Sequence, residues 1–392
     1  MNVRPSKVLQ ELPPYLFSRI DRMIGEKRRT GADVISLGIG DPDLPTPPNI
    51  LEALKAATKR PENYQYPSYE GKINFRRAVA AFYKRKWGVD LNPETEIVAS
   101  IGAKEAIHNA SFAFQEGMAI VPNPGYTVYA SGAKFAGRKV LEFPLIKQNR
   151  FLPDTYAIGN FARDAAYMWL NYPNNPTAAT IEKNELKRIV HFCRDSNTIL
   201  LYDNTYSEMA YDNYKAPSPL EFGKEGIVEF HSLSKTYSMT GFRIGWIAGD
   251  EKLVQMILSV KKNIDSGVAN VIQDAAIEAL TGPQDTAKHY VEVYRNRRDM
   301  LIHGLTSLGI KAEKPKATFY VWAEVPEKFK NEAMGHTEKS PSMAYCEHLL
   351  GKAGVVCTPG VGFGKYGEGF VRFALTQPED RISEAINRIG RV

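Results

Sequence analysis

From about residue 96 to 250 the chain alternates between short runs of β-branched or aromatic residues and longer segments whose apolar positions recur at helical spacing. "EIVAS" (96–100), "MAIVP" (118–122), "AYMWLNYP" (166–173), "TILLYDN" (198–204), "IVEFHSL" (227–233) and "RIGWIAG" (243–249) read as strands. Between several of them lie amphipathic segments such as "KNELKRIVHFCRDS" (183–196). This alternation predicts an α/β fold whose sheet is mostly parallel and covered by helices on both faces. The last third changes character. A long helical pattern, "YVEVYRNRRDMLIHGLTSLG" (290–309), is mixed with the strands "TFYVWAEV" and "FVRFAL", which suggests a separate α+β domain beginning near "LTGPQD" (280–285).

Ligands of open α/β sheets bind beyond the carboxyl ends of the strands, so the residues that finish these runs deserve the closest reading. They are "SIGAKE", "PNPGYTVY", "NYPNNPT", "YDNTY" and "HSLSK", each rich in Gly, Pro, Asn, Tyr or Ser. "GFGKYG" (362–367) matches a dinucleotide fingerprint in spacing alone. A strand-like run and not a helix follows it, so a glycine-rich turn is the better reading.

Composition narrows the classes. With 392 residues, 43% hydrophobic and 24% charged, the chain can bury a large core and should divide into two domains, or one with a substantial appendage. The net charge of +6 comes from basic residues interspersed with acidic ones, which is a poor match to nucleic acid. Cys193, Cys346 and Cys357 are odd in number, far apart in sequence and without metal-binding spacing, so reduced thiols, no disulfide and no metal are expected. Neither a signal-peptide core nor an apolar run of membrane-spanning length occurs, and a cytoplasmic location follows as the expectation.

The chemistry centres on "HSLSKTYSMTGFRIGW" (231–246). A lysine in a serine-rich loop is usually a solvated residue. Lys235, however, directly follows a strand, lies among Ser232, Ser234 and Thr236, and has Arg243 eight positions on. Hydroxyls plus an arginine make a phosphate site, and a desolvated lysine beside a cation becomes a nucleophilic amine. Lysine plus phosphate suggests pyridoxal phosphate held covalently through the amine. The stretch resembles the cofactor-lysine motif S-x-S-K-x-x-x-x-x-G-x-R-x-G of the class I and II pyridoxal-phosphate aminotransferases. The resemblance runs through "YQYPSYEG", "SIGAKEAI", "NPGYTVY", "NYPNNPT", "YDNTYSE" and "VRFAL" in the family's order. Within the family, "LPPYLFSRID", "LGIGDPDLPTPP" and "GPQD" are most similar to the LL-diaminopimelate aminotransferases.

The resemblance implies a fold-type I architecture, with a large cofactor domain at 45–284 and a small α+β domain from 1–44 plus 285–392. It also implies roles. Asp203 would keep the pyridine nitrogen protonated, although an Asp at a strand end is as readily a cap or turn residue. Tyr206 completes the family's D-x-x-Y and would contact the cofactor's phenolic oxygen. Backbone N–H groups of Ala103 and Lys104, at a predicted helix start, would join Ser232, Ser234 and Arg243 around the phosphate. Tyr126 would stack on the ring; read alone it is equally a core aromatic. Asn175 would serve both the cofactor oxygen and the substrate α-carboxylate, which Arg372 would grip with its planar fork. Ala178 stands where the family usually has glycine, which leaves the local turn geometry open. Tyr15 and Gly40 resemble positions that close over the substrate. Tyr66 and Asn270 resemble residues contributed by a neighbouring subunit, which implies a homodimer with shared active sites. Glu70 is the nearest acidic candidate for the distal end of a diamino substrate, or else a solvated loop residue.

The implied activity moves an amino group between an amino acid and a 2-oxo acid. Lys235 acts as general base and acid, and the substrates are most readily LL-2,6-diaminopimelate and 2-oxoglutarate, a reaction of lysine biosynthesis. An alanine, aspartate or aromatic aminotransferase shares every cofactor residue above. An aminotransferase-like regulatory domain is the alternative from another class, and it predicts a basic helix-turn-helix segment of about 70 residues that the sequence does not contain.

Overall fold

The computed structural model describes residues 3–12, 16–333 and 340–392. Among the described residues twelve strands follow one another: β1 (Ile35–Ser36), β2 (Ile97–Ser100), β3 (Met118–Asn123), β4 (Val140–Pro144), β5 (Ala165–Asn171), β6 (Ile199–Asp203), β7 (Ile227–Ser232), β8 (Gly245–Gly249), β9 (Tyr320–Glu324), β10 (Val355–Val356), β11 (Thr358–Pro359) and β12 (Phe370–Ala374). Seven form one sheet in the order β2-β8-β7-β6-β5-β3-β4. Only β8 runs against the rest.

Near-continuous apolar runs are what a doubly covered sheet requires, and successive residues of these strands feed two separate cores. Ile97, Met168, Leu170, Leu200 and Tyr202 join one cluster with Phe75 and Phe82 of the helix Ile73–Trp87, Leu186 and Ile189 of Lys183–Asp195, and Ala275 of Asn270–Thr281. Val98, Trp169, Leu201 and Phe230 join the other, with Ile107 of the helix Ala103–Ala110, Tyr129 of Val128–Phe135 and Val254 of Glu251–Lys261. Each fully buried Leu, Ile or Phe contributes roughly 1.5–3 kcal/mol, which is how a sheet with no polar face is held between two helical layers.

A third core lies around the antiparallel sheet β11-β12-β9, packed by the helices Asp285–Ser307 and Glu379–Ile389. The start of the chain belongs to it, because β1 pairs in parallel with β10. The edge strand β4 was not anticipated; of its residues "VLEFP" only Phe143 is buried and Glu142 is exposed. "GFGKYG" forms two tight turns, Gly360–Phe363 and Lys365–Gly367, leading into β12. Cys346 and Cys357, distant from metal spacing in sequence, bring their thiols to 3.3 Å in the interior, and all three cysteines are free. No helix among the described residues is long and apolar enough to cross a membrane.

Candidate active site

Parallel strands β2, β3, β5, β6 and β7 end at one edge of the large sheet. Because β8 runs the other way, its beginning reaches the same edge and delivers Arg243 there. The residues just beyond these ends line a cavity of about 390 Å³ that includes Ala103, Lys104, Tyr126, Asn175, Asp203, Tyr206, Ser232, Ser234, Lys235 and Arg243. Gly40 and Arg372 join them from the third core. Twelve of the positions read from the sequence therefore meet in one place.

At the floor, Asp203 is buried, and its carboxylate accepts from Tyr129 Oη at 2.8 Å, from Thr205 Oγ1 at 2.6 Å and from the Thr205 N–H at 3.1 Å. Burial pushes its pKa up, against the pull of these donors from Thr205 and Tyr129. A carboxylate so placed favours a cationic neighbour, and a protonated pyridine nitrogen is one. Asn171 braces the floor: its Nδ2 donates to Asp203 O at 2.8 Å and its Oδ1 accepts the Asn175 N–H at 2.8 Å.

At one end, Gly102 adopts φ +75 ahead of the helix Ala103–Ala110 and caps it with no side-chain bond, so the first-turn N–H groups point toward the cavity. A Cβ at Gly102 would stand 2.5 Å from Arg243 Nη2. Arg243 is itself fixed by bonds to Thr240 O (2.8 Å) and Ile101 O (3.2 Å), and the Ser232 and Ser234 hydroxyls are linked at 2.8 Å. Backbone donors, two hydroxyls and a guanidinium around a space that a single methyl would invade suit a phosphate group.

Lys235 lies between these ends and donates to Gly40 O at 2.9 Å. Burial draws its pKa below the ordinary lysine value; Tyr320 and Asp41 oppose this, and Arg372 and Arg243 reinforce it. At the other end, Arg372 is buried, donates to Asn175 Oδ1 at 2.7 Å and Gly38 O at 2.9 Å, and lies 4.1 Å from the centre of the Tyr320 ring. Tyr206 and Tyr320 join hydroxyls at 3.1 Å. The usual glycine position after Thr177 is resolved as well: Ala178 adopts φ +57, the left-handed conformation that glycine takes without strain.

Three expected residues stay outside the cavity of a single chain. Tyr66 is 88% exposed. Asn270 donates to Gln65 O at 3.2 Å and so holds the loop that carries Tyr66. Glu70 is paired with Lys262 at 3.1 Å. Tyr15 lies outside the described residues. Conversely, Asn171, Thr205, Tyr320, Asp41 and Phe363 line the cavity without having been singled out. Of these, Asn171 heads the "NYPNNPT" segment and Asp41 follows Gly40 in "LGIGDPD", whereas Tyr320 sits in a strand with no motif to mark it.

A buried lysine, a buried acid, a cluster of hydroxyls and a guanidinium beside a helix start, and a second buried arginine are parts that amino-group transfer can use, and comparison with known proteins agrees on that activity. A family model, Aminotransferase class I and II, matches residues 32–389, and the chain belongs to that family of pyridoxal-phosphate enzymes. It is an aminotransferase. Among relatives, it is 46% identical to the LL-diaminopimelate aminotransferase of Moorella thermoacetica over 395 residues, spanning 100% of this chain and 98% of that one. It is 47% identical to the enzyme of the same name from Desulforudis audaxviator, with full coverage of both. Among solved structures, substrate-bound BacF from Bacillus subtilis superposes with a TM-score of 0.92 at 35% identity, covering 100% of this chain and 98% of that one. Aspartate aminotransferase from Thermus thermophilus with maleate superposes with a TM-score of 0.90 at 28% identity, covering all of both chains.

Proposed function

We propose that this aminotransferase exchanges an amino group between LL-2,6-diaminopimelate and 2-oxoglutarate, with pyridoxal 5′-phosphate bound in the cavity, as a cytoplasmic homodimer. The observation that carries the chemistry is the convergence of Lys235, Asp203, Arg243 and Arg372 on one cavity. Support for the donor is the full-length identity to relatives of that name.

In this reading the cofactor supplies, when bound, an aldehyde carbon that accepts the amino group and a ring that withdraws electrons. Asp203 would keep the ring nitrogen protonated, Tyr206 and Asn175 would serve the phenolic oxygen, and Tyr126 would support the ring. Ser232, Ser234, Arg243 and the N–H groups of Ala103 and Lys104 hold the phosphate, joined by Tyr66 from the neighbouring subunit. Arg372 and Asn175 fix the α-carboxylate of the donor, so that its α-hydrogen faces Lys235. Lys235 would then take that proton, and burial, which draws its pKa below the ordinary lysine value, favours the neutral amine that the task needs. Tyr15, Gly40 and Asn270 complete the substrate enclosure, and the division into units 45–284 and 1–44 plus 285–392 belongs to the same reading.

A steady-state screen of LL-diaminopimelate, alanine, aspartate and phenylalanine against 2-oxoglutarate tests the donor; preference for any of the last three removes it. Borohydride reduction followed by peptide mapping tests Lys235, and a label on any other lysine refutes that role.

A further inference from the structure

Once its reacting amine is engaged, a diamino diacid donor still carries a second ammonium into a cavity that already presents Lys104, Lys235, Arg243 and Arg372. With the guanidinium groups matched by the phosphate and the α-carboxylate, that ammonium has no counter-charge of its own and gives up part of its hydration on entering. A carboxylate is needed, and among the described residues the cavity lining offers two. Asp203 is at the floor, occupied by Tyr129 and Thr205. Asp41 is at the exposed mouth.

The segment bearing Asp41 is held almost atom by atom. Leu37 O accepts from the Ala374 N–H at 2.6 Å, Gly38 O from Arg372 at 2.9 Å, Ile39 O from Thr376 Oγ1 at 2.7 Å and Gly40 O from Lys235 at 2.9 Å. Two residues further on, Asp43 is tied to Arg297 at 2.7 Å. Asp41 alone of the two acids in "GDPD" has no hydrogen bond or ion pair among the described residues, although its charge is felt at Lys235. A carboxylate on a rigid segment, unpartnered and facing a cavity, is placed to meet a cation that arrives with the substrate.

We propose that Asp41 is the counter-ion of the donor's distal ammonium and thereby a determinant of donor specificity. The assignment rests on the reading of LL-diaminopimelate as donor. It stands beside Glu70, which is paired with Lys262 in its own chain and would reach a donor only from the neighbouring subunit.

The test compares LL-diaminopimelate with L-2-aminopimelate, the same carbon skeleton without the second amine, and reads the ratio of their kcat/KM values. In Asp41→Asn this ratio should fall roughly ten- to a hundredfold, the loss of a charge-assisted hydrogen bond, whatever happens to the rate both donors share. Asp41→Glu, which keeps the charge, should retain most of the ratio. An unchanged ratio in an active Asp41→Asn enzyme overturns the assignment, because a role confined to tuning Lys235 slows both donors alike. A ratio that collapses in Glu70→Gln and not in Asp41→Asn also overturns it. If the wild-type enzyme does not turn over LL-diaminopimelate, the parent reading has failed and this assignment falls with it.

Discussion

Gly40 sits where the N-terminal strap passes over the cavity, and a single methyl group there should disable the carboxylate clamp from a distance. A Cβ on Gly40 would lie 2.7 Å from both Cε1 and Cζ of Tyr320 and closer still to its hydroxyl. The ring has little room to yield. It is 3% exposed and wedged between Phe319, with centroids 4.9 Å apart, and the Arg372 guanidinium. The strap is equally constrained by the bonds to Leu37, Gly38, Ile39 and Gly40 described above. Displacing Tyr320 forfeits its hydroxyl contact with Tyr206, about 1 kcal/mol, and part of a buried cation–π contact, about 1 kcal/mol more. The expected loss of about 2 kcal/mol corresponds to roughly thirtyfold in kcat/KM. Tyr320→Phe removes the atom of closest approach but leaves the ring carbons, so the double variant should lose about 1 kcal/mol less than the sum of the two single changes. The assay is a double-mutant cycle on kcat/KM, with thermal unfolding of each variant to verify folding. Additivity within about 0.5 kcal/mol would refute the claim that Gly40 acts through Tyr320.

Gly102→Ala should weaken binding of pyridoxal phosphate to the apoprotein at least tenfold, because it combines about 1–2 kcal/mol of left-handed strain with displacement of Arg243; titration by absorbance checks this, and unchanged affinity removes Arg243 from the phosphate cup. In the apoprotein, the amine of Lys235 should be acylated with a pH midpoint below the ordinary lysine value of 10.5, since burial disfavours the ammonium. Asp41→Asn should lower that midpoint further, because removing a negative charge takes away an influence that raises it; a midpoint at or above 10.5 contradicts the described burial. Burial pushes the Cys193 thiol up to about 12 and raises that of Cys346 as well, so the native protein should resist aromatic disulfide reagents at pH 8, while all three cysteines react after unfolding.

How much of this could be read from the chain depended on whether the signal was local. Six of the seven strands of the large sheet announce themselves as short apolar runs, most of them closed by Gly, Pro or Asn. The rule that ligands gather beyond strand ends then selects the segments that carry Lys104, Tyr126, Asn175, Tyr206 and Lys235, while the resemblance to the family singled out the first four within them. Arg243 drew meaning from the hydroxyls around Lys235, whereas Arg372 carried meaning only through the family's motif order, since an arginine in a strand is ordinarily a surface residue. Tyr320 had no signal at all. It matters because β9 pairs with β12, which sets Tyr320 opposite Ala374 and beside Arg372, and register between strands nearly 50 residues apart is a tertiary fact. β4 was missed although four of its five residues are apolar, since so short a run broken by Glu142 is not told from a loop by pattern alone. Ala178 shows the limit of residue identity as a guide: the left-handed turn persists without the glycine that usually marks it.

Two carboxylates face the same cavity, and their surroundings prescribe different chemistry for them. Asp203 is sealed in at the end of β6, where three donors converge on it, and burial raises its pKa. A permanent cation against it would reverse that preference, so in the proposed reading the acid and the ring nitrogen stabilise each other's charge through every turnover. Asp41 is open to water, has no resident partner and sits on a segment whose carbonyls are already engaged. An acid exposed to water can meet and release a cation that comes and goes with each substrate without leaving a buried charge behind. Permanent pairing thus belongs at the floor and transient pairing at the mouth. Moving the transient acid inward would tighten its grip on the donor but strand an unpaired charge on product release, so the mouth is where a residue that reads the far end of the donor should be.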